Sequence, residues 1–478
     1  MTLAELLATA PHRSDLIVHD GVRVSSTELD ARARALAASF NARGIGPGDH
    51  VAFQLPVGVD AVVVYRACWM AGVVAVALHP LAGVAPLTQA VEQAGPVLLV
   101  ADPAMPLAGF AGAVTIGELT GGVAPAVDVT ADDDALVMFT SGSTGAPKGV
   151  VHTHRSLAYK THESIDVHGF TADDVVLMPA PLAHVSGLLH GVLVPGALGA
   201  KAVLMSRWDP GRALDLIERE RVTWMVGPPT FFLGLMDHPE FAPRRVDSLR
   251  LVSCGGAGVS PAFAARARTE LGVVVKRAYG STEAPTITTS RHDDPPERMV
   301  STDGRPFGGS EIRVDDVGEL WLRGPELARG YLDADRTAEY FVDGWFRTGD
   351  LATIDDGWLT ITGRLGDRII RGGENISATE VEHHLEAHPS VRQAVAVAEP
   401  DERLGERVAA FVVATAGFDL TECRAWFEER GAARYITPER IELVDEMPVL
   451  ASGKIDRAGL AARLREPDRP DGDGTSGA

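Results

Sequence analysis

Thr140-Ser141-Gly142-Ser143-Thr144-Gly145-Ala146-Pro147-Lys148-Gly149 follows directly on the apolar run Ala135-Leu136-Val137-Met138-Phe139. These ten residues hold three glycines, four hydroxyls and one lysine. Glycines let a backbone curl so that its N–H groups face one concavity, and such a concavity binds anions. The hydroxyls add donors, and Lys148 adds a mobile positive charge. A strand feeding such a loop reads as a grip on a polyphosphate. A flexible Gly/Ser linker needs neither the lysine nor the strand. The loop is not a Walker A motif, in which the lysine follows a glycine and precedes Ser or Thr; Lys148 lies between Pro147 and Gly149.

Outward from this loop, short apolar strands alternate with helices. Residues 26–43 carry Leu29, Ala33, Leu36 and Phe40 at helical spacing. Strands are expected at 51–55, 73–78, 97–101 and 135–140, then at 201–205, 224–226 and 249–253, with a helix at 210–221. Ala61 to Leu78 contains Arg66 and Gly72, so it reads as a buried helix followed by a strand, not as a membrane span. This alternation predicts an α/β fold of mostly parallel sheets flanked by helices. Ligands then sit at the carboxyl ends of strands, where the Gly142 loop falls. From about Gly308 the pattern turns to short strands, 311–314 and 319–322, which predicts a small β-rich subdomain. Beyond Gly363-Arg364 comes a small α+β pattern: a helix at 379–387 and strands at 391–398 and 407–413. The expected organisation is a domain over 1–365, a mobile C-terminal domain over 366–465 with a hinge near Gly366, and a disordered tail over 466–478, rich in Pro, Gly, Asp and Ser.

Composition excludes several classes. A formal net charge of −21 argues against non-specific binding to nucleic acid or anionic membranes. Any anionic ligand must be held by local groups. There are only five lysines, at 148, 160, 201, 276 and 454, and Lys148 and Lys454 lie in glycine-flanked segments. Cys68, Cys254 and Cys423 show neither disulfide nor zinc spacing, which suits a reducing cytosol.

Further constellations carry chemistry. Tyr279-Gly280-Ser281-Thr282-Glu283 combines an aromatic face, a close-approach glycine, hydroxyls and a carboxylate able to hold Mg²⁺. Arg347-Thr348-Gly349-Asp350 places a carboxylate after a glycine turn. Gly363-Arg364-Leu365-Gly366 is followed by an open pair, Gly372-Gly373, and Ser452-Gly453-Lys454 presents a lysine on a turn.

In this order and spacing the segments resemble the adenylate-forming superfamily, which includes acyl-CoA and aryl-CoA synthetases, peptide-synthetase adenylation domains and firefly-type luciferases. The resemblance runs from about residue 20 to 460. It implies two half-reactions: a carboxylate attacks the α-phosphate of ATP to give an acyl-adenylate and pyrophosphate, then the thiol of coenzyme A displaces AMP. It implies that Thr140, Ser141, Gly142, Ser143, Thr144, Gly145 and Lys148 hold the β- and γ-phosphates. Tyr279 would stack on adenine beside Gly280 and Ser281, Thr282 would contact the α-phosphate, and Glu283 would coordinate Mg²⁺. Asp350 would bind the ribose hydroxyls with Arg364 assisting. Lys454 would bridge the acyl carboxylate and α-phosphate, and Gly372 and Gly373 would line the pantetheine tunnel after a domain rotation. Members normally carry Asp or Lys where this chain has Gly366, which puts hinge control in question.

Pro181-Leu182-Ala183-His184-Val185-Ser186-Gly187 matches the family's acyl-pocket motif. It implies His184 as a catalytic and substrate contact. Gly187, Trp224, Gly227, Pro228, Thr230, Gly255, Gly256 and Ala257 would form the walls. The Phe-Asp pair of amino-acid-activating domains is absent at Ala183-His184. Val185 replaces the Asn of dihydroxybenzoate-activating relatives. The pattern resembles medium-chain and cyclohexanecarboxylate–CoA ligases and implies a medium-chain, alicyclic or aryl acid. Alternatives are a ligase that loads an acyl-carrier protein, a luciferase-like oxidase, and a non-catalytic acyl- or nucleotide-binding relative. A cytoplasmic location is expected, and the oligomeric state, a homodimer among the options, is open.

Overall fold

The computed structural model describes residues 1–123, 127–141, 147–256, 258–415, 417–450 and 454–464. The expected tail at 466–478 lies outside them, as do Gly142, Ser143, Thr144, Gly145 and Ala257. The chain divides into two compact units. One comprises 1–259, 263–348 and 354–360; the other comprises 260–262, 349–353 and the chain from 361 onward.

The larger unit is built on two large sheets and a smaller one that joins Glu311–Val314, Glu319–Arg323, Trp345–Asp355 and Phe341–Val342, the expected β-rich part. In the first, parallel strands run in the order Val274–Tyr279, Leu251–Gly255, Trp224–Gly227, Val175–Met178, Lys201–Leu204 and Ile17–His19, with antiparallel additions at both edges. In the second, Asp134–Ser141, Val74–Ala77, His50–Gln54, Leu98–Ala101 and Ala113–Val114 are parallel. Strand periodicity divides the side chains between layers. Val51 and Phe53 join Val176, Met178, Trp224 and Val226 in a shared core between the sheets. Val175, Leu177, Met225 and Val252 face the opposite way, onto helices Pro210–Glu220, Pro229–Met236 and Pro261–Leu271. Ala52, Val74 and Val76 likewise pack on the outer helix Val84–Ala94. Fully buried parallel strands need both faces covered, which explains their continuous apolar runs. The expected helix–strand boundary at Gly72 is real: Val59–Ala71 is helical and Gly72 terminates it at φ +70°.

Two expectations are corrected. The glycine-rich segment is not a loop through Gly149. Pro147–Thr153 is a strand paired antiparallel to Asp134–Ser141, with Lys148 opposite Thr140. Alternation of Lys148, Val150 and His152 against Gly149 and Val151 is a strand pattern that the glycines obscure. Asp350 does not follow a free turn but lies within the strand Trp345–Asp355, with Gly349 at φ +72°.

The smaller unit is α+β. Its sheet joins Glu374–Ser377, Arg368–Arg371, Gly405–Ala414 and Val391–Asp401, with Arg440–Leu443 beside Gly405–Ala414. Val381, Leu385, Phe418 and Phe427 cover one face, and Met447, Leu460 and Leu464 the other. Gly372 and Gly373, at φ +57° and +95°, form a two-residue hairpin turn between Arg371 and Glu374. That turn needs two left-handed residues in succession, hence the glycine pair. Gly366 lies in the short 3-10 turn Leu365–Asp367, and a Cβ there would meet nothing.

All three cysteines are buried and reduced, and burial raises each thiol pKa. Among the described residues no helix is long and apolar enough to cross a membrane. Burial also lowers the pKa of several histidines, most strongly His154 to about 4, His190 to about 3 and His168 well below its usual value. The unfolded state therefore binds more protons below pH about 6.5, so stability falls as pH falls. Between pH 7 and pH 5 the loss is expected to reach at most about 2 kcal/mol per histidine. Urea midpoints across this range check it; a flat profile would contradict it.

Candidate active site

The strand leaving the glycine-rich segment organises the site. Lys148, Val150 and His152 alternate along it. His152 is fully buried, its Nε2–H donates to the Thr282 carbonyl at 2.7 Å, and its Nδ1 meets Ser156 Oγ at 3.2 Å. Burial lowers its pKa, so the ring is a neutral fixed donor. Val150 pairs with Tyr331 in the strand Gly330–Tyr331. The Tyr331 hydroxyl donates to Glu283 Oε1 at 2.7 Å, and the Ala328 N–H donates to the Glu283 carbonyl at 2.8 Å. Burial and the Glu283 carboxylate raise the pKa of Tyr331, which keeps it protonated as the donor. The Lys148 ammonium lies 4.9 Å over the Tyr340 ring, and Tyr340 meets Tyr331 edge-on at 6.0 Å. One strand thus links the cation of the glycine-rich segment to the buried carboxylate of the Tyr279–Glu283 segment. His152, Tyr331 and Tyr340 were not anticipated from sequence. The alternation in Lys148-Gly149-Val150-Val151-His152 is the signal that points to His152.

Tyr279 ends its strand, and the chain returns at once: the Ile287 N–H donates to the Tyr279 carbonyl and the Ser281 N–H to the Ala284 carbonyl. This turn itself requires a glycine at Gly280. A Cβ at Gly280 would lie 2.2 Å from the Thr286 nitrogen. Thr286 itself is left-handed, at φ +41°. Its carbonyl accepts from Lys160 Nζ at 2.6 Å, and burial lowers the pKa of that lysine to about 8. The loop is therefore held at Thr282, Glu283 and Thr286 by three buried side chains from outside it.

Glu283 is 9% exposed, and Tyr331 occupies one of its carboxylate oxygens. Among the described residues no group of three acidic, histidine or cysteine ligands forms a metal cage. A single carboxylate with one oxygen already committed fits Mg²⁺, which keeps its waters and takes most other ligands from phosphates.

His184 caps the short helix Val185–Leu188, and its Nδ1 accepts from the Ser186 N–H at 3.3 Å. That bond places the ring proton on Nε2. Gly187 is needed because a Cβ would meet the Pro181 carbonyl oxygen at 2.0 Å, and Gly255 because one would meet the Ala278 carbonyl oxygen at 2.3 Å. Both glycines set backbone separations around the site. Gly256 is left-handed, at φ +78°. Pro228 and Thr230 follow the carboxyl end of Trp224–Gly227, the end at which such sheets bind ligands.

Trp224, also expected on a wall, opens that strand, is 1% exposed, and stacks on Phe170 at 4.0 Å.

In the smaller unit Arg364 Nε pairs with Asp350 Oδ1, bringing together the two residues expected at the ribose. Gly372 and Gly373 are the hairpin tip described above. The Lys454 carbonyl accepts from the Leu450 N–H at 2.7 Å, beside a bridge between Val449 and Ile455.

Comparison with known proteins agrees with this geometry. The family model described as AMP-binding enzyme matches residues 4–332, and that of the AMP-binding enzyme C-terminal domain matches 380–454. The chain is 35% identical to the medium-chain fatty-acid–CoA ligase of Escherichia coli K12, over 94% of this chain and 87% of that protein. It is 36% identical to a feruloyl-CoA synthase of Amycolatopsis, over 95% and 96%. MatB from Rhodopseudomonas palustris, solved with ATP bound, superposes with a TM-score of 0.88 at 28% identity over 98% of this chain and 99% of that one. Two ordered family matches, and relatives that align from end to end, place this chain in the AMP-binding, adenylate-forming enzyme family, whose activity is ATP-dependent and proceeds in two steps.

Proposed function

We propose that this protein is an ATP-dependent carboxylic acid–CoA ligase acting on a medium-chain, alicyclic or aryl acid. The observation that supports it most directly is the buried Tyr331–Glu283 bond beside a Thr282 carbonyl fixed by His152. A carboxylate kept partly dehydrated, on a loop that cannot shift, suits a metal-bridged phosphate chain.

Each residue then has a task. Lys148 and the N–H groups of the glycine-rich segment bind the β- and γ-phosphates. Tyr279 offers its ring to adenine. Thr282 contacts the α-phosphate, and Asp350, oriented by Arg364, takes the ribose hydroxyls. Mg²⁺, when bound at Glu283, neutralises phosphate charge. Lys454 draws the acyl carboxylate toward the α-phosphate, so that two anions meet in line. In the second step His184 Nε2 and the Gly372-Gly373 turn serve the thiol end, and CoA displaces AMP. A carrier-protein thiol is the alternative acceptor.

AMP and pyrophosphate release across a panel of medium-chain, cyclohexane-type, aryl and amino acids, with and without CoA, tests this reading. AMP turnover that requires CoA and peaks on one class of acid is expected. Pyrophosphate exchange that CoA leaves unproductive would transfer the acceptor role to a carrier protein.

A further inference from the structure

Arg66 is a buried cation whose pairing is incomplete. It stands on the helix Val59–Ala71 and is 3% exposed. Its Nη1 lies 3.4 Å from Asp30 Oδ1, longer than a charge-assisted hydrogen bond. Among the described residues Arg66 Nε and Asp30 Oδ1 are buried without a hydrogen-bond partner. A buried ion pair is favourable only when further hydrogen bonds complete it. Burial lowers the pKa of Arg66 and Asp30 raises it, but a guanidinium keeps its charge at any ordinary pH. The pair therefore has donors to spare.

A cavity of about 200 Å³ opens onto this guanidinium. That is room well beyond a single water. One side of it is polar, formed by Asp30 and by Ser26 and Thr27 at the start of the helix Ser26–Ala42. In that first turn the Ser26 N–H donates to the Arg13 carbonyl, the Glu28 N–H to Ser25 Oγ and the Leu29 N–H to the Ser25 carbonyl. Among the described residues the Thr27 N–H has no such acceptor. The positive end of a 17-residue helix and the buried guanidinium thus face the same space. The other side is apolar, formed by Leu7, Pro11 and Leu16. Two glycines bring the helix Val194–Leu198 and its cap against that side. A Cβ at Gly196 would lie 2.7 Å from Leu7 Cδ2, and one at Gly199 would lie 2.6 Å from the Pro11 carbonyl oxygen. None of these residues is among those assigned above to ATP, the acid or the thiol.

We infer that this cavity is a second ligand site and that it takes a small monocarboxylate, with the carboxylate on Arg66 and a short apolar body against Leu7 and Leu16. The planar fork of a guanidinium matches the two oxygens of a carboxylate. Asp30 selects against a dianion such as phosphate, because its own charge stands beside the cation. The apolar side favours an anion that carries carbon over a bare oxyanion. The inference is independent of the ligase reading.

Titration calorimetry with sodium propanoate at constant ionic strength tests it, on the wild type, Arg66→Gln and Ala10→Leu, each checked for folding by its thermal midpoint. Ala10 lines the cavity, so a leucine there fills it and leaves the ion pair in place. Both variants are expected to weaken propanoate binding by roughly 10- to 100-fold, the effect of losing a hydrogen bond to a charged group or the space for the ligand. Inorganic phosphate is expected to bind the wild type at least about tenfold more weakly than propanoate. Propanoate that enters the acyl site instead would bind both variants as it binds the wild type. That result overturns the inference, as does a wild type that binds no propanoate. Phosphate bound as tightly as propanoate overturns the choice of a carboxylate. If Arg66→Gln does not fold, Ala10→Leu decides alone.

Discussion

Lys454→Ala is expected to lower acid-dependent ATP–pyrophosphate exchange by about 10²–10³-fold, while thioester formation from pre-made acyl-adenylate and CoA proceeds at close to the wild-type rate. The reason is electrostatic. The first step joins two anions in a chain of net charge −21, and negative charge gathers at phosphorus as they join. A fixed cation at that point acts mainly on the transition state, so kcat should fall more than the acid's KM rises. The backbone suits the role, because the Leu450–Lys454 hydrogen bond and the Val449–Ile455 bridge hold the lysine's main chain. Lys454→Arg is expected to rescue poorly, since a planar guanidinium does not replace a compact ammonium between two oxyanions. Equal losses in both half-reactions would remove Lys454 from this role.

The second large effect is expected at Glu283. Glu283→Gln removes the site's buried carboxylate charge and should depress exchange by about 10²-fold or more at every Mg²⁺ concentration. Tyr331→Phe is the informative partner. It keeps the charge but removes the donor that orients it, at a cost of roughly tenfold. That loss should diminish as Mg²⁺ is raised, because the ion can then orient the carboxylate. A Mg²⁺ titration of exchange in both variants checks the pair. A Tyr331→Phe defect that Mg²⁺ does not relieve would make the tyrosine a packing residue only.

Much of this architecture was legible because its signals are local. The helix at Ser26–Ala42, the break at Gly72 and the parallel strands announce themselves by apolar period and punctuation. The phosphate segment was found by composition, yet its second half was misread. Glycine and proline suppress the appearance of a strand, and only pairing with Asp134–Ser141 reveals Pro147–Thr153 as one. Of the residues that act through others, only His152 carries a local signal, the alternation of its strand. Tyr331 lies 48 residues from Glu283, and His152 lies 130 from Thr282. Nothing local names the partner of such a side chain, because topology fixes it. At Gly187, Gly255 and Gly280 a Cβ would meet a neighbouring backbone, a requirement no local pattern displays.

The burial of Cys68, Cys254 and Cys423 has a practical side. A protein that consumes a free thiol is usually awkward to follow with a thiol-reactive dye, because its own sulfhydryls contribute background. Here each sulfur is enclosed and its thiolate disfavoured by burial. The folded chain should be silent toward such a reagent, so disappearance of the coenzyme's sulfhydryl can be watched directly in the native enzyme. The same silence makes a cysteine introduced on the surface a single addressable handle, with no need to strip the chain of its own.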